Sequence, residues 1–566
     1  MNKKEVAAAL NEIALLMELC GENPFKVRSY TNGARVIEQL DADIEDMVRE
    51  KRLRELKGVG EALEQKIEEL VTTGKLGFLE ELRAKFPVSL YELFGIPSLG
   101  PKRIKQVYEE LGIDSLAKLE EACQSGQLLS LKGFSEKLQD KILEGIGFAR
   151  EHTGQHLLNK AEYAAEELLH HLRECEAVTS VEIAGSVRRG KEVIKDVDLV
   201  ASSERPAEVM KWFVSAPDVK QVTGQGETKS SVVLDSGIAA DLRVVDQVQF
   251  PFALLHFTGS KDHNVALRQR ARERGLKLNE YGLFDEHDQS LACGFETDIY
   301  KELGLPYIAP ELREDYGECQ AERLPKLVEL SDLRGLIHCH STYSDGKDTL
   351  EKMALAARKL GYEYLVITDH SQTAAYAGGL RPERVRKQHE EIDRLNKKSR
   401  GFRILKGIES DIRINGELDY DEDVLKTFDV IVASVHNKLD MPEKEATARV
   451  VRAIENPYIT ILGHATGRLL LARAGLTLDM NKVFDACLAN QVAIEINADC
   501  RRLDLDWRQV IRGREKGVMF SIGPDAHSVN GLDNVRYGVS MARKGWLEAK
   551  DVLNTLSAKE LLAWRK

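Results

Sequence analysis

The sequence predicts a multidomain chain with an all-α N-terminal region, a mixed α+β centre and a C-terminal seven-stranded (β/α) barrel. Three observations predict it. Glycine-marked helix pairs recur through residues 1–150. Between residues 180 and 245, short apolar strands carry acids at alternate positions. After residue 333, seven short apolar runs alternate with helical stretches, and each ends at once in metal-ligand residue types. Strand–helix alternation implies a parallel sheet, and seven such units imply a closed or nearly closed barrel.

Composition sets the bounds. A chain of 566 residues with 43% hydrophobic and 30% charged residues is globular and multidomain. No run of 18 apolar residues is present, so no membrane span is expected. The opening Met1–Val6 lacks a signal-peptide core, and the eight cysteines form no Cys-x-x-Cys; both favour a cytoplasmic protein with reduced thiols. Net charge is −12, and residues 1–150 carry 22 Lys+Arg against 26 Asp+Glu. Affinity for nucleic acid must therefore come from local basic clusters and backbone phosphate sites.

In the first region a pattern recurs. Leu56-Lys57-Gly58-Val59-Gly60 leads into a helix over 61–70, and Leu93-Phe94-Gly95-Ile96-Pro97-Ser98-Leu99-Gly100 into a helix over 101–111. A weaker third copy is Leu131-Lys132-Gly133-Phe134-Ser135. Each is expected to be helix, glycine hairpin, helix, with backbone N–H groups at the second helix facing a DNA phosphate. Such motifs grip the backbone without reading sequence. Gly58, Gly60, Gly95, Gly100, Lys102, Arg103 and Lys105 are the candidate contacts.

At the centre, the strand Val181–Ala184 runs into Gly185-Ser186-Val187-Arg188-Arg189-Gly190. A helix or tight turn is expected there, and its N–H groups with the arginine pair suit a polyphosphate. The strand Asp196-Val197-Asp198-Leu199-Val200 follows. Residues two apart share a face, so Asp196 and Asp198 repel unless a cation lies between them. Asp241, within Ala239–Val245, supplies a third acid. Three carboxylates beside a phosphate cradle point to two-metal phosphoryl or nucleotidyl transfer.

These motifs resemble the palm of the nucleotidyltransferase superfamily, and in detail the family X DNA polymerases related to DNA polymerase beta. The resemblance implies that Asp196 and Asp198 bridge two Mg2+ or Mn2+ ions and that Asp241 holds the catalytic one at the primer 3′-hydroxyl. Ser186 and Arg189 orient the triphosphate. His256-Phe257-Thr258-Gly259-Ser260 and the following helix match the thumb: Phe257 near the sugar, Gly259 as a nucleotide contact, Asn264 at the incoming base, Arg268 on the template side. Asn279–Leu283 and Leu305–Arg313 match as well. In the N-terminal domain the resemblance makes Lys66 the Schiff-base lysine for an abasic sugar, and Lys26 and Tyr30 neighbours of a 5′-phosphate. A solvated Lys66 is the open alternative, because a Schiff-base lysine needs a depressed pKa. Three departures stand out. His256 replaces a tyrosine, which bears on ribonucleotide exclusion. Ala239 replaces an arginine beside the third acid. Lys195 replaces a glycine, and its side chain is expected to bind triphosphate.

Residues 316–332 have no strong apolar period and are expected to be a linker that lets folded modules sit apart. Beyond it, the strands Gly335–Ile337, Tyr364–Thr368, Phe402–Gly407, Val430–Ser434, Ile459–Leu462, Val492–Ile496 and Val518–Ile522 are followed by His338, His340 and Asp345; Asp369 and His370; Glu409; His436; His464; Glu495 and Asn497; Asp525 and His527. Strand C-termini of such a barrel share one face, so these residues converge. Of seven histidines in this region, only His389 lies away from a strand end. Imidazole and carboxylate without thiolate suit Zn, Mn or Fe. Cys339 should point to the opposite face. Arg468 and Lys438 are candidate phosphate contacts, with solvated surface charge the equal alternative.

His338-x-His340-x-x-x-x-Asp345-Gly346, Thr368-Asp369-His370 and Asp525-x-His527 resemble the polymerase and histidinol phosphatase (PHP) domain. That resemblance implies up to three ions, Zn2+ or Mn2+, held by His338, His340, Asp345, His370, Glu409, His436, His464, Asp525 and His527, and cleavage of phosphate esters. The terminal helices, through Trp564, are expected to close the barrel.

The expected domains are therefore 1–87 (lyase-like), 88–150 (fingers-like), 151–252 (palm), 253–315 (thumb), 316–332 (linker) and 333–566 (PHP). The expected function is gap-filling DNA polymerase in repair, with 3′→5′ exonuclease in the barrel, or abasic-site endonuclease or 3′-phosphatase there. Gapped or primed DNA and deoxynucleoside triphosphates are the expected substrates, and the protein a monomer. Two alternatives remain open: a DNA-end scaffold with nuclease only and an idle palm, and a phosphatase of small phosphate esters.

Overall fold

A computed structural model describes residues 3–38, 40, 43–56, 58–96 and 99–564; Lys57, Pro97 and Ser98 of the hairpin motifs lie outside the described residues. The chain forms two compact units, 1–153 and 154–566.

Every described regular segment of the first unit is helical. The apolar spacing explains why: Leu63, Ile67 and Leu70, for example, fall on one face of Glu61–Thr73 and are buried. Three times an α-helix is followed by a 3-10 turn, a hairpin and a second α-helix. The series are Ile44–Arg49, Leu53–Glu55, Glu61–Thr73; Gly77–Arg83, Val88–Gly95, Pro101–Leu111; and Leu116–Gln124, Gln127–Ser130, Glu136–Glu151. In the first two, the second helix starts at Gly60 or Gly100 with no side-chain cap. In the third, the Ser135 hydroxyl accepts from Leu138 N at 3.3 Å. The weak third copy thus caps its own helix, and the first two leave that terminus open to an external acceptor.

The second unit begins with a five-stranded sheet in the order Ser180–Ile183, Asp196–Ser202, Ala239–Val245, Lys229–Leu234, Val219–Gln225. The second and third of these are parallel, with Asp198 opposite Asp241. Helices Leu158–Arg173 and Pro206–Val214 bury their apolar stripes in the same core as the sheet. Residues 250–315 then build their own small core around Phe252, Tyr300, Ile308 and Leu312. Buried Arg313 ties this layer together, donating to Glu296 Oε1 at 2.7 Å and Ile308 O at 3.0 Å.

The segment 316–332 contains no α-helix or strand, only the 3-10 turn Leu330–Asp332. It is not slack, however. Glu318 is fully buried and accepts from Asp315 N, Tyr316 N and His263 Nδ1 at 2.7–2.9 Å. Val328 is buried and donates through its N–H to Leu547 O at 2.9 Å. The expected spacer is therefore fastened to both of its neighbours, because it carries its own buried carboxylate and apolar anchors.

Seven parallel strands follow in sequential order: Gly335–Cys339, Tyr364–Ile367, Arg403–Asp411, Val430–Ser434, Ile461–Leu462, Ala493–Asn497 and Phe520–Gly523. All seven expected strands form, with boundaries shifted by a few residues. After the last strand, Ala526 bridges back to Cys339 and closes the barrel. At the other end the seam is clasped by buried Asn554, which accepts from Ile522 N at 2.7 Å and donates to Gly335 O at 3.1 Å and Ile522 O at 2.9 Å. Leu553, Leu561 and Trp564 pack with Ile337, Val366, Leu405 and Val432. The terminal helices thus close the barrel, as expected, by plugging its floor.

The His263–Glu318 contact gives a pH dependence. Both groups are fully buried, and Tyr300 OH donates to His263 Nε2 at 3.0 Å. Burial pushes His263 below its usual value, with Glu318 only partly offsetting it. Burial would raise Glu318, but His263 holds it below the usual carboxylate range. Both folded values lie below the unfolded ones, so the unfolded chain binds more protons as pH falls. The stability contributed is complete above about pH 6.5 and is lost progressively below it. Thermal unfolding from pH 7.5 down to about pH 5 should show a steeper fall for wild type than for His263→Gln.

Candidate active sites

The first site forms where the sheet meets the helix Phe250–Thr258. Gly185–Arg188 makes a single helical turn. A cavity of about 410 Å³ is lined by Gly185, Ser186, Arg189, Asp196 and Asp198 on one side, and by His256, Phe257, Gly259, Asn264 and Arg268 on the other. Lys195 is exposed in the bend between the strands Val193–Ile194 and Asp196–Ser202 and does not line it. Gly185 has φ +61, and a Cβ there would lie 2.1 Å from Asp198 Oδ2; only glycine lets the turn approach the acid so closely.

Burial, then Asp196 and Asp241, push the Asp198 carboxyl up to about 7. This is the charge conflict that a cation between the acids relieves, so the donor set fits divalent metal. Asp241 is turned to Lys229, whose Nζ is 2.9 Å from Oδ2. Lys229 thus supplies the positive charge that Ala239 does not. It faces Arg243 across the strand pair, a register that the sequence alone did not signal.

Of the arginine pair, Arg188 is committed to structure, donating to Glu296 and to Thr258 Oγ1 at 2.6–3.0 Å. Arg189 alone lines the cavity; its Nε donates to Glu314 Oε1 at 3.1 Å. Asn264 Nδ2 donates to His256 O at 2.7 Å, and Arg268 Nη2 to His256 Nδ1 at 3.1 Å. A guanidinium only donates, so Nδ1 is the acceptor and the ring proton sits on Nε2. Burial lowers the His256 pKa and keeps the ring neutral.

The second site lies at the C-terminal ends of the barrel strands. All nine expected ligands meet there. His340, Asp345, His370 and His527 form one group with ligand atoms within 4.8 Å of one another; His338, His464 and Asp525 form another; His338, His340 and Glu409, and His370, Glu409 and His436, complete the set. His338 Nε2, both nitrogens of His340, His370 Nδ1, His464 Nδ1 and Glu409 Oε2 are buried without a hydrogen-bond partner. Orphaned buried donors of this kind, in one cavity and of these types, fit metal ions. Cys339 is buried away in the core, as expected.

Tautomers are fixed from behind. His338 Nδ1 donates to Glu495 Oε1 and His436 Nδ1 to Asp411 Oδ1, each at 2.5 Å, and His527 Nδ1 to Asp525 O at 2.9 Å. Each ring keeps Nε2 for a ligand. Burial would raise Glu409, but His370, His436 and His338 hold it well below the usual range. Burial would lower His436 and His527, but Glu409 carries the first to about 10 and Asp345 with Asp525 carry the second to about 9. Burial and then His527 press His340 down to about 3. Imidazolium charge drawn in by the buried acids is charge that bound cations replace.

Two side chains beside the candidate ligands, Asp411 and Arg502, escaped the sequence reading. Asp411 lies two residues beyond Glu409 on the same strand, a same-face spacing that could have found it. Asp369, named in the sequence at its strand end but not assigned as a ligand, accepts from Ser341, Ser344 and Gln388 at 2.5–3.1 Å and so positions the loop bearing Asp345. Arg502 Nε stands 3.7 Å from Asp525 Oδ2, the nearest arginine contact to a candidate ligand among the described residues. Arg468 is occupied instead, donating to Arg502 O at 2.9 Å and Asp506 Oδ2 at 3.2 Å. It is a bridge and not a free phosphate contact, because its fork is filled by backbone and carboxylate. Lys438 is exposed. His263, Glu318 and Cys319 also cluster, but the histidine and carboxylate are satisfied within the protein.

In the first unit, Gly58, Gly60, Gly95, Gly100, Lys102 and Arg103 are all exposed. Lys105 turns inward, donating to Cys20 O at 3.2 Å, and so caps the helix Lys3–Leu19 instead of facing a phosphate. Lys66 Nζ lies 4.8 Å from the Phe78 ring, and Tyr30 stacks on the same ring at 6.2 Å. Lys26 is exposed and 3.8 Å from Glu22.

A carboxylate-bearing palm beside a histidine–carboxylate barrel defines a nucleotidyltransferase joined to a metal-dependent phosphoesterase. Family descriptions match along the chain: a helix-hairpin-helix domain over residues 1–76, a SAM-like helix-hairpin-helix tandem over 90–147, a DNA polymerase beta thumb over 253–314 and a PHP domain over 337–499. A DNA polymerase/3′-5′ exonuclease of Bacillus subtilis is 39% identical over the whole of both chains. DNA polymerase lambda of Arabidopsis thaliana is 28% identical over 50% of this chain and 57% of its own. A probable phosphatase of Caldanaerobacter subterraneus is 29% identical over 34% of this chain and 74% of its own. The chain belongs to the family X DNA polymerases that carry a PHP domain. It is an enzyme of nucleotidyl transfer and phosphoester hydrolysis, dependent on divalent metal, with DNA and deoxynucleoside triphosphates as substrates. Among the described residues no helix is long and apolar enough to cross a membrane.

Gly185→Ala tests the close approach of turn and acid. Displacing Asp198 by about an ångström should lower primer extension by about a hundredfold. Primer shortening by the barrel should be unchanged in the same assay.

Proposed function

We propose that this polymerase fills short gaps during DNA repair and that its barrel removes nucleotides from the 3′ end. The observation that carries the reading is the cavity in which Ser186 and Arg189 face Phe257, Asn264 and Arg268 across Asp196 and Asp198. Arg189 and Ser186 hold the triphosphate. Phe257 and Gly259 border the sugar, Asn264 meets the incoming base and Arg268 the template side. Asp196, Asp198 and Asp241 would hold Mg2+ or Mn2+, which when bound lowers the pKa of the primer hydroxyl and takes up the charge of the pyrophosphate. Asn264 and Arg268 must leave His256 to reach a base pair, so His256 sets their resting position.

In the barrel, the nine ligands would hold up to three ions, Zn2+ or Mn2+, which supply a hydroxide and polarise the scissile phosphate. Arg502 is placed to bind a phosphate oxygen. The open helix termini at Gly60 and Gly100, with Lys102 and Arg103, bind the DNA backbone. Lys66, with Tyr30 and Lys26, serves as a lyase on an abasic sugar. The working domains are 1–87, 88–150, 151–252, 253–315 and 333–566, and the protein acts as a cytoplasmic monomer.

The test uses a labelled primer bordering a single-nucleotide gap, with Mg2+ or Mn2+, with and without nucleotides. Asp196→Ala/Asp198→Ala should lose extension and keep shortening; His338→Ala/His340→Ala should do the reverse. A wild type that never extends the primer overturns the gap-filling reading. Parallel substrates carrying an abasic site or a 3′-phosphate assign the barrel's ester. Borohydride trapping on an abasic 5′ end should label wild type and not Lys66→Ala; equal labelling removes Lys66 from the lyase role.

A further inference from the structure

We infer that the barrel's helix Val535–Lys544 is part of the polymerase site, and that Lys544 is a positioning residue for Arg189. The inference rests on the reading that Arg189 binds the triphosphate.

Lys544 is the last residue of that helix, and its side chain is fully buried. Buried ammonium groups occur only with partners. Here Nζ donates to Glu314 Oε1 at 2.7 Å, to the backbone oxygen of Arg189 at 3.1 Å and to Glu311 O at 3.4 Å. The Trp507 ring lies 5.1 Å away. The same oxygen, Glu314 Oε1, accepts from Arg189 Nε at 3.1 Å. The barrel thus reaches the cavity arginine twice, through its backbone and through a shared carboxylate. The contact is tight: Gly190 has φ +62, and a Cβ there would lie 2.2 Å from Ser540 Oγ. Neighbouring Arg543 fastens the helix to Glu311 Oε1 at 2.6 Å.

The charge arithmetic gives the consequence. Around Glu314 stand Lys544, Arg189 and, 3.8 Å from its Oε2, Lys191; with the carboxylate these carry two net positive charges. Without Lys544 the group falls to one, Glu314 draws more fully on Arg189, and the loop loses the donor at its carbonyl. The triphosphate is then met by a weaker positive charge. Binding of substrate and transition state weakens together, which appears in KM more than in kcat.

Lys544→Met should raise the nucleotide KM about tenfold with kcat within about twofold. Shortening of single-stranded DNA without nucleotides should be unchanged, which reports an intact barrel. Lys544→Arg should retain the wild-type KM. Lys544→Met/Glu314→Gln restores the net charge and should bring KM most of the way back. An unchanged KM in Lys544→Met, or an equal rise in the double variant, overturns the inference. Arg189→Met separates the two readings. If it leaves KM unaltered, the triphosphate role of Arg189 fails; if it raises KM and Lys544→Met does not, only the role of Lys544 fails.

Discussion

One buried carboxylate, Glu409, stands within 3.7 Å of five imidazoles: His338, His340, His370, His436 and His464. That arrangement is intolerable in an apolar core unless positive charge is shared among the rings or supplied by cations. The barrel is built around this constraint. Seven parallel strands all end on the same side, so each delivers its ligands to one place. The rings need orientation as well as position, and Glu495, Asp411 and the Asp525 backbone provide it from behind. Closure of the seam by Ala526 and Asn554 then keeps the ligands on the first and last strands in register.

The palm solves a related problem with less enclosure. Two acids on one inner strand and a third on its parallel neighbour crowd negative charge at one end of the sheet, and burial with that crowding raises Asp198. The third acid is compensated by Lys229 within the protein. Six of the barrel's nine candidate ligands are buried, whereas the palm opens into a cavity of about 410 Å³. A polymerase must admit and release substrate at every turn, and this difference in enclosure suits it.

The two sites do not belong to independent modules. Residues 316–332 are fastened by Glu318 and Val328, and the helix Val535–Lys544 packs on the turn that bears Arg189. Arg468 adds a second link, 3.7 Å from Glu192. Charged groups at these junctions are buried and paired, which gives a defined geometry between palm and barrel.

Much of this was written in the chain. Local rules sufficed for the glycine hairpins, the Asp-x-Asp strand and the seven strand ends with their histidines, because period-2 alternation and parallel strand direction fix which residues share a face. The nine candidate ligands that those rules named lie together at the strand ends. The same rules could not show which cations were free. Arg188, Lys105 and Arg468 are indistinguishable in sequence from arginines and lysines that face a ligand, yet each is consumed by a partner 85 to 108 residues away or by a remote loop. Nor could they show that Lys229 replaces a missing arginine or that Lys544 shares a carboxylate with Arg189. The sequence by itself determined the elements, the ligand types and the enzyme family; the tertiary structure decided which charges meet, because a pairing between distant residues depends on how the elements pack and leaves no period in the chain.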